Sequence, residues 1–300
     1  MGVLDNEPRL MPPKPPEQFK VGSDPVKTYS PVGRCIYCYD DSPKLSDEHI
    51  IPFSLNGTHI LPQASCLKCA AITSQLELVV CREFFGQLRT HAGLRTRRKH
   101  PRQFFAELIF DDGHRERVPV PTDIHPSVLV VPQFEMPTLV SGRTSDGDFR
   151  FREIMWHVER RLEWDEFVKA RGAKQGAVRY PRKPGEFARF LAKIAHGYAV
   201  AMFGIDGFNP LLTDLILGRN VVRAPELVGS EPEIEPPASG ALHQLDLLET
   251  EKNFLIVRIR LFASSSIEGA HGFPTYLVIA GAKISQLGSL LAPFYRALAR

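Results

Sequence analysis

The chain has 300 residues, 43% hydrophobic and 24% charged, an ordinary globular balance whose core does not need staples. No apolar run approaches the roughly 18 residues of a membrane span. The start lacks a charged-then-apolar leader pattern, so a cytoplasmic protein with no membrane partner is expected. The net charge of +3 is too small to identify a partner, and its distribution says more.

Residues 1–30 are rich in proline (MPPKPPEQ) and poor in periodic apolar positions. Such a stretch buries too little surface to offset its ordering entropy, which predicts a flexible arm. Cys35 and Cys38 then form one CxxC pair, Cys66 and Cys69 a second, and Cys81 stands alone. In a cytoplasmic chain these are not a disulfide framework. Two CxxC turns present four thiolates, the number a tetrahedral structural zinc takes, at roughly 2.3 Å each. The 27 residues from 39 to 65 exceed a compact zinc ribbon, so an element is folded between the two knuckles. A thioredoxin-like redox role is disfavoured, because neither pair opens the helix of a βαβ unit.

That intervening element reads as a hairpin. Asn56-Gly57 is a two-residue turn signal between the apolar Ile50, Ile51, Phe53 and Ile60, Leu61. It would pair Leu55 with Thr58 and Ser54 with His59. From Ala70 to about Gly93 the pattern turns helical, with Leu76, Val79, Val80, Phe84 and Leu88 recurring at spacings of three and four, and Gly93 as its stop. Cys81 falls on the apolar side of that helix, as a core thiol. From Arg89 to Arg102 the chain carries Arg89, Arg95, Arg97, Arg98, Lys99 and Arg102 with no acid between them.

Strand-like runs follow at 104–110, 115–121 and 127–134, the first two joined by an Asp112-Gly113 turn. Helical patterns follow at 151–171 and 184–204, the second opened by Pro184 and closed by Gly204. His157 and His196 fall within these as core or boundary histidines. A Pro/Glu-rich loop at 224–240 precedes strands at 243–249, 253–263 and 274–282. In the middle one, Arg258 and Arg260 line a groove or form its solvent face. Segregated strands and helices predict an α+β fold. The organisation expected is an arm over 1–30, a small zinc-stabilised domain over 31–100 with a basic extension, and a larger α+β domain over 101–300.

Within residues 35–73, CIYC (35–38), DEHIIP (47–52) and SCLKCAAIT (65–73) occur in the order knuckle, strand, knuckle opening a helix. This resembles the HNH endonucleases, and within them a bacterial subgroup with CxxC pairs on both sides of an EHIIP segment. The resemblance covers roughly residues 33–90. TRRKHPR (96–102) and FARFLAKIAHGYA (187–199) also look like parts of those proteins. It implies a ββα-metal fold and hydrolysis of DNA phosphodiester bonds with a catalytic Mg or Mn, zinc being structural. His49 matches the general base, and an imidazole suits that task because its ordinary pKa lies near neutrality. Glu48 matches the acid that holds the divalent ion. Neighbouring strand residues point to opposite faces, so both reach one site only if the strand is bent or bulged.

The match departs at two positions. Ala70 stands where His or Asn completes the catalytic metal site, and Leu61 stands where Asn orients the base. Neither side chain binds a cation or accepts a hydrogen bond. His59 is the candidate replacement ligand and Gln63 the candidate orienting group after a one-residue register shift. On the helix, Thr73 is a poor ligand and Glu77 lies too far along the axis. Arg95, Arg97, Arg98, Lys99 and Arg102 are the candidate nucleic-acid contacts. The alternative is a module that has lost catalysis and binds nucleic acid or a protein through the same zinc fold.

Overall fold

A computed structural model describes residues 24–41, 44–97, 99–159, 162–180, 182–238, 240–264 and 272–284. Most of the expected arm, residues 1–23, lies outside the described residues, as does Arg98. The end of that arm is paired. Strand β1 (Lys27–Thr28) runs parallel to β3 (His59–Cys66), which is antiparallel to β2 (Leu45–His49), giving the order β1-β3-β2. Lys27 N–H donates to the Thr58 carbonyl at 2.9 Å and Tyr29 N–H to that of Ile60 at 3.0 Å. The free edge of β3 offers backbone partners that no side-chain periodicity announces.

The expected two-residue turn at Asn56-Gly57 does not form. The strands pair through Glu48↔Leu61 and His49↔Ile60, and residues 50–58 make a wider connection. A 3₁₀ turn at Phe53–Leu55 is closed by Asn56 at φ 63°. Burial decides this: Ile50, Ile51 and Leu55 all sit in the core, which a tight hairpin would not allow at once. Gly57 is required for another reason, since a Cβ there would lie 2.0 Å from the Ile51 carbonyl oxygen.

Strand β3 runs directly into α1 (Leu67–Val79), which starts before Ala70 because Cys66 ends the strand and serves as the N-cap. The expected continuous helix widens into a π turn at Val80–Phe84 and resumes as α2 (Gly86–His91), with Gly93 beyond it at φ +61°. The Arg89 guanidinium donates to the carbonyls of Cys81 (3.0 Å) and Ser54 (2.7 Å), tying the widened turn to the 50–58 connection.

Strands β4 (Gln103–Ile109) and β5 (Arg115–Pro121) form the expected hairpin, and β6 (Ser127–Phe134) follows. After α3 (Thr138–Ser141), the expected helix over 151–171 divides into strand β7 (Phe151–Glu159), paired with β6, and α4 (Leu162–Ala170). Phe151, Ile154, Met155 and Val158 recur at helical spacing while Ile154, Trp156 and Val158 alternate as in a strand, and the free edge of β6 selects the strand. His157 is therefore a strand residue, opposite Val128, rather than a helical one. Strand β8 (Gln175–Ala177) joins β4 and β5, and α4 covers one face of that sheet through Trp164 and Val168, against Ala106, Leu108, Val118 and Val120.

Helix α5 (Pro184–Phe203) ends at Gly204 and is buried along most of its length. Strand β9 (Phe208–Pro210), α6 (Thr213–Ile216), α7 (Ala224–Leu227) and β10 (Val228–Ser230) lead to β11 (Gln244–Glu249), β12 (Phe254–Arg260) and β13 (Thr275–Lys283). These strands form a sheet of order β10-β13-β12-β11, with β9 also paired to β13. The combination is α+β.

Helix α5 packs against α1 on one side and β12 and β13 on the other. One apolar core accordingly joins Ile36, Ile50, Leu55 and Phe85 to Phe187, Leu191, Val257 and Val278. Arg258 and Arg260 line no groove. Arg258 pairs with Glu231 (2.7 Å) and Glu235, Arg260 pairs with Glu235 (2.9 Å), and both pin the Pro/Glu-rich loop onto β12.

Candidate metal centre and the buried lysine beside it

The first knuckle closes through Tyr39 N–H donating to the Cys35 carbonyl (2.9 Å), with Tyr39 at φ 63°. In the second, Cys66 ends β3 and Cys69 occupies the first turn of α1, where the helix N-terminus favours thiolate. The bulk of the chain sets their approach: Ile36 N–H donates to the Ala64 carbonyl (2.8 Å), and His196 Nε2 of α5 donates to the Ile36 carbonyl (2.6 Å). His196 is thereby a buried core histidine, as expected, held neutral by burial at a pKa of about 4.

The four sulfurs lie within 4.8 Å of one another, and Cys38 and Cys66 are 3.6 Å apart. A zinc tetrahedron with arms of roughly 2.3 Å has edges of about 3.8 Å, so the residues fit that ion. The thiols also divide their charge. A hydrogen bond from Cys69 lowers Cys35 to about 4, burial raises Cys38 to about 11, and Cys35 drives Cys69 upward. A divalent cation is what allows all four to ionise together. Cys81 is apart from this group and buried, its thiol pushed up to about 12 by that burial.

Between β2, α1 and α5 lies a second buried polar group that spacing does not announce. Lys193 of α5 is fully buried, and its Nζ sits 2.6 Å from Glu48 Oε1 and 2.7 Å from Glu77 Oε1. It also donates to the carbonyls of His49 and Ile50, the latter at 3.3 Å. Burial opposes the Lys193 charge, but the two carboxylates outweigh it and hold the ammonium above its ordinary pKa. Burial raises the Glu48 carboxyl while Lys193 pulls it down. Tyr37 lies alongside, its phenol held well above its ordinary value by burial first and then by the charges of Glu48 and Glu77. Glu77, set aside by distance along the helix, thus meets Glu48 through a lysine. The sequence signal was a lone Lys in the apolar run FLAKIAHGYAV, which overlaps FARFLAKIAHGYA.

The strand does bulge, but ahead of the pair. Ser46 faces Ser65 and Glu48 faces Leu61, so β3 carries two more residues than β2 between these positions, with Gln63 at φ 49°. Glu48 and His49 therefore still point to opposite faces. Glu48 goes inward to Lys193, whereas the half-buried His49 ring sits edge-on to Phe53, centroids 6.1 Å apart. Guanidinium carbons of Arg95 and Arg97 lie 5.6 and 5.8 Å from the same Phe53 ring. Arg95 N–H donates to Asn56 Oδ1 (2.8 Å), fastening the basic segment to the 50–58 connection. His49 is held below its ordinary pKa by burial first, then by Lys193 and Arg97.

The remaining candidates lie elsewhere. His59 follows the alternation away from His49, and its Nδ1 is 3.0 Å from the Tyr29 hydroxyl, with Tyr198 nearby. Gln63 does not reach His49; its N–H donates to Asp47 Oδ1 (3.2 Å), because the register shifts by two residues rather than one. Leu61 is buried opposite Glu48, and the Thr73 hydroxyl donates to the Ala70 carbonyl (3.4 Å). Lys99 and Arg102 are exposed. Among the described residues, the four cysteines are the one group in which three or more metal-type donors converge. Glu48 and His59, each with a different partner, do not form the donor set of a divalent ion.

No helix among the described residues is long and apolar enough to cross a membrane. Comparison with protein-family models, curated proteins and solved structures finds no match to this chain.

Proposed function

We propose that this chain is a zinc-stabilised module of the HNH type that grips nucleic-acid phosphates on the face carrying His49, Arg95 and Arg97. The carrying observation is the grouping around Phe53: a half-buried imidazole and two guanidinium groups on one ring, with the basic segment fastened to the 50–58 connection through Asn56. Guanidinium forks suit phosphate oxygens, and contacts of this type position a backbone without reading its sequence. The zinc, held by Cys35, Cys38, Cys66 and Cys69, would supply folding energy rather than chemistry.

The endonuclease reading stands second. In its favour, burial and two neighbouring cations shift His49 toward the neutral form, the protonation state a general base needs. Against it, Lys193 takes the Glu48 carboxylate that would hold a divalent ion, so no hydrolytic step follows from this donor set.

The test is fluorescence anisotropy with a labelled 20-base-pair duplex, beside nicking of supercoiled plasmid with Mg or Mn. Arg95→Ala and Arg97→Ala are expected to weaken binding and reduce the salt slope by about 0.9 for each phosphate that the variant no longer neutralises. His49→Ala is expected to keep most of it. Nicking by wild type that His49→Ala abolishes would make the protein a nuclease. No binding of duplex or single strand by zinc-loaded protein at 50 mM salt would overturn both readings in favour of a protein-interaction module.

A further inference from the structure

The β4-β5-β8 sheet has one covered and one open face. Ala106, Leu108, Val118 and Val120 turn toward α4 and are buried. The alternate positions face outward: Phe105 opposite Pro119, Glu107 opposite Arg117, and Ile109 opposite Arg115. Phe105 is 48% exposed, and the Arg117 guanidinium carbon lies 4.4 Å from its ring centroid. Arg117 has no acidic partner among the described residues. The acid on this face, Glu107, is engaged by Arg179 (2.7 Å) and Arg115 (3.5 Å). The other acids of the hairpin stand away from it, Asp111 and Asp112 at its tip and Glu116 on the alternate side of β5.

The basic segment leads straight into the first strand of this sheet. Arg102 immediately precedes β4, and Phe105 follows Arg97 by eight residues, at most about 28 Å of extended chain. Helix α2 holds the sheet in place, with His91 Nε2 donating to the Thr122 carbonyl at 2.9 Å. The open face therefore combines an exposed aromatic ring on a paired strand, a guanidinium stacked on it, and two further arginines, Arg115 and Arg179, around a single acid.

We infer that this face is a platform for single-stranded nucleic acid, on which an unpaired base stacks against Phe105 while Arg117 and Arg115 hold phosphates. It rests on the nucleic-acid reading above and adds a substrate class to it. Stacking on an aromatic side chain tolerates any base but requires the base to be unpaired, and strand-borne aromatics beside a basic groove are a recurrent way to meet that need. A duplex presents only phosphates and is held by the Arg95 and Arg97 face alone.

The test uses the full, zinc-loaded chain and anisotropy with a labelled 20-nucleotide oligothymidine strand, against a duplex of equal length. Phe105→Ala is expected to weaken single-strand binding about five- to hundredfold and leave duplex binding unchanged. Phe105→Trp is expected to restore the loss. Arg117→Ala is expected to lower the single-strand salt slope by about 0.7. Phe105 is exposed, so unchanged circular dichroism and zinc content are expected in each variant. If Arg95→Ala and Arg97→Ala weaken binding while Phe105→Ala and Arg117→Ala do not, the platform is refuted and the phosphate-binding face stands. If wild type binds neither probe, the underlying reading falls and the platform with it.

Discussion

Lys193→Met removes one charge and keeps the apolar stem, leaving Glu48 and Glu77 facing each other with no cation between them. A buried carboxylate escapes that position by taking up a proton, which caps the penalty. From an ordinary Glu pKa of about 4.3, protonation costs roughly 3.7 kcal/mol at pH 7 and roughly 1.6 kcal/mol at pH 5.5. The carbonyls of His49 and Ile50 also lose a donor, at about 1 kcal/mol each. A destabilisation of about 3–5 kcal/mol at pH 7 is expected, in line with breaking a buried ion pair from one side.

The sign of the pH dependence follows from the raised carboxyl. The folded variant binds the Glu48 proton more tightly than the unfolded chain does. Its stability therefore falls as pH rises from the ordinary Glu pKa toward the raised one. The loss is thus about 2 kcal/mol smaller at pH 5.5 than at pH 7. Urea unfolding followed by circular dichroism, with zinc in excess, measures it. Adding Glu48→Gln to Lys193→Met is expected to recover at least half of the loss, which keeps the test usable if the single variant accumulates poorly. A loss below about 1 kcal/mol at pH 7, or one that does not change with pH, would refute the reasoning.

Metal analysis should find one zinc per chain in the wild type. Serine at Cys35, Cys38, Cys66 or Cys69 is expected to abolish stoichiometric zinc and cooperative unfolding, whereas Cys81→Ser keeps both. With its thiol near 12 and buried, Cys81 is expected to resist a thiol reagent at pH 8 in the native zinc-loaded protein and to react once unfolded. The His49 imidazole, followed by NMR, is expected to titrate below the ordinary 6.5, and Arg97→Ala to move that midpoint upward; no change on Arg97→Ala would remove that residue from its surroundings. Gly57→Ala is expected to cost about 1–3 kcal/mol, toward the upper end because the added Cβ meets the Ile51 carbonyl oxygen, and an unchanged urea midpoint would refute the close approach.

What the sequence determined by itself was local. The CxxC spacing brings each pair of sulfurs together within one turn, and the structure needed only to bring the two turns to one point. The β4-β5 hairpin, β6 and α5 were legible for the same reason, since turn residues, alternation and a Pro-to-Gly helical span act over a few neighbours. The 151–171 segment was not, because the apolar positions of its first half fit both periods and the edge of β6 made the choice. The Asn56-Gly57 signal failed where burying Ile50, Ile51 and Leu55 outweighed a tight turn, and both residues were put to other use. The largest change came from α5. A lysine 145 positions beyond Glu48 in the chain enters the space beside it, which no spacing near the EHIIP segment could reveal. Tertiary structure decided that carboxylate's partner, because a buried charge must find its opposite wherever in the chain that opposite lies.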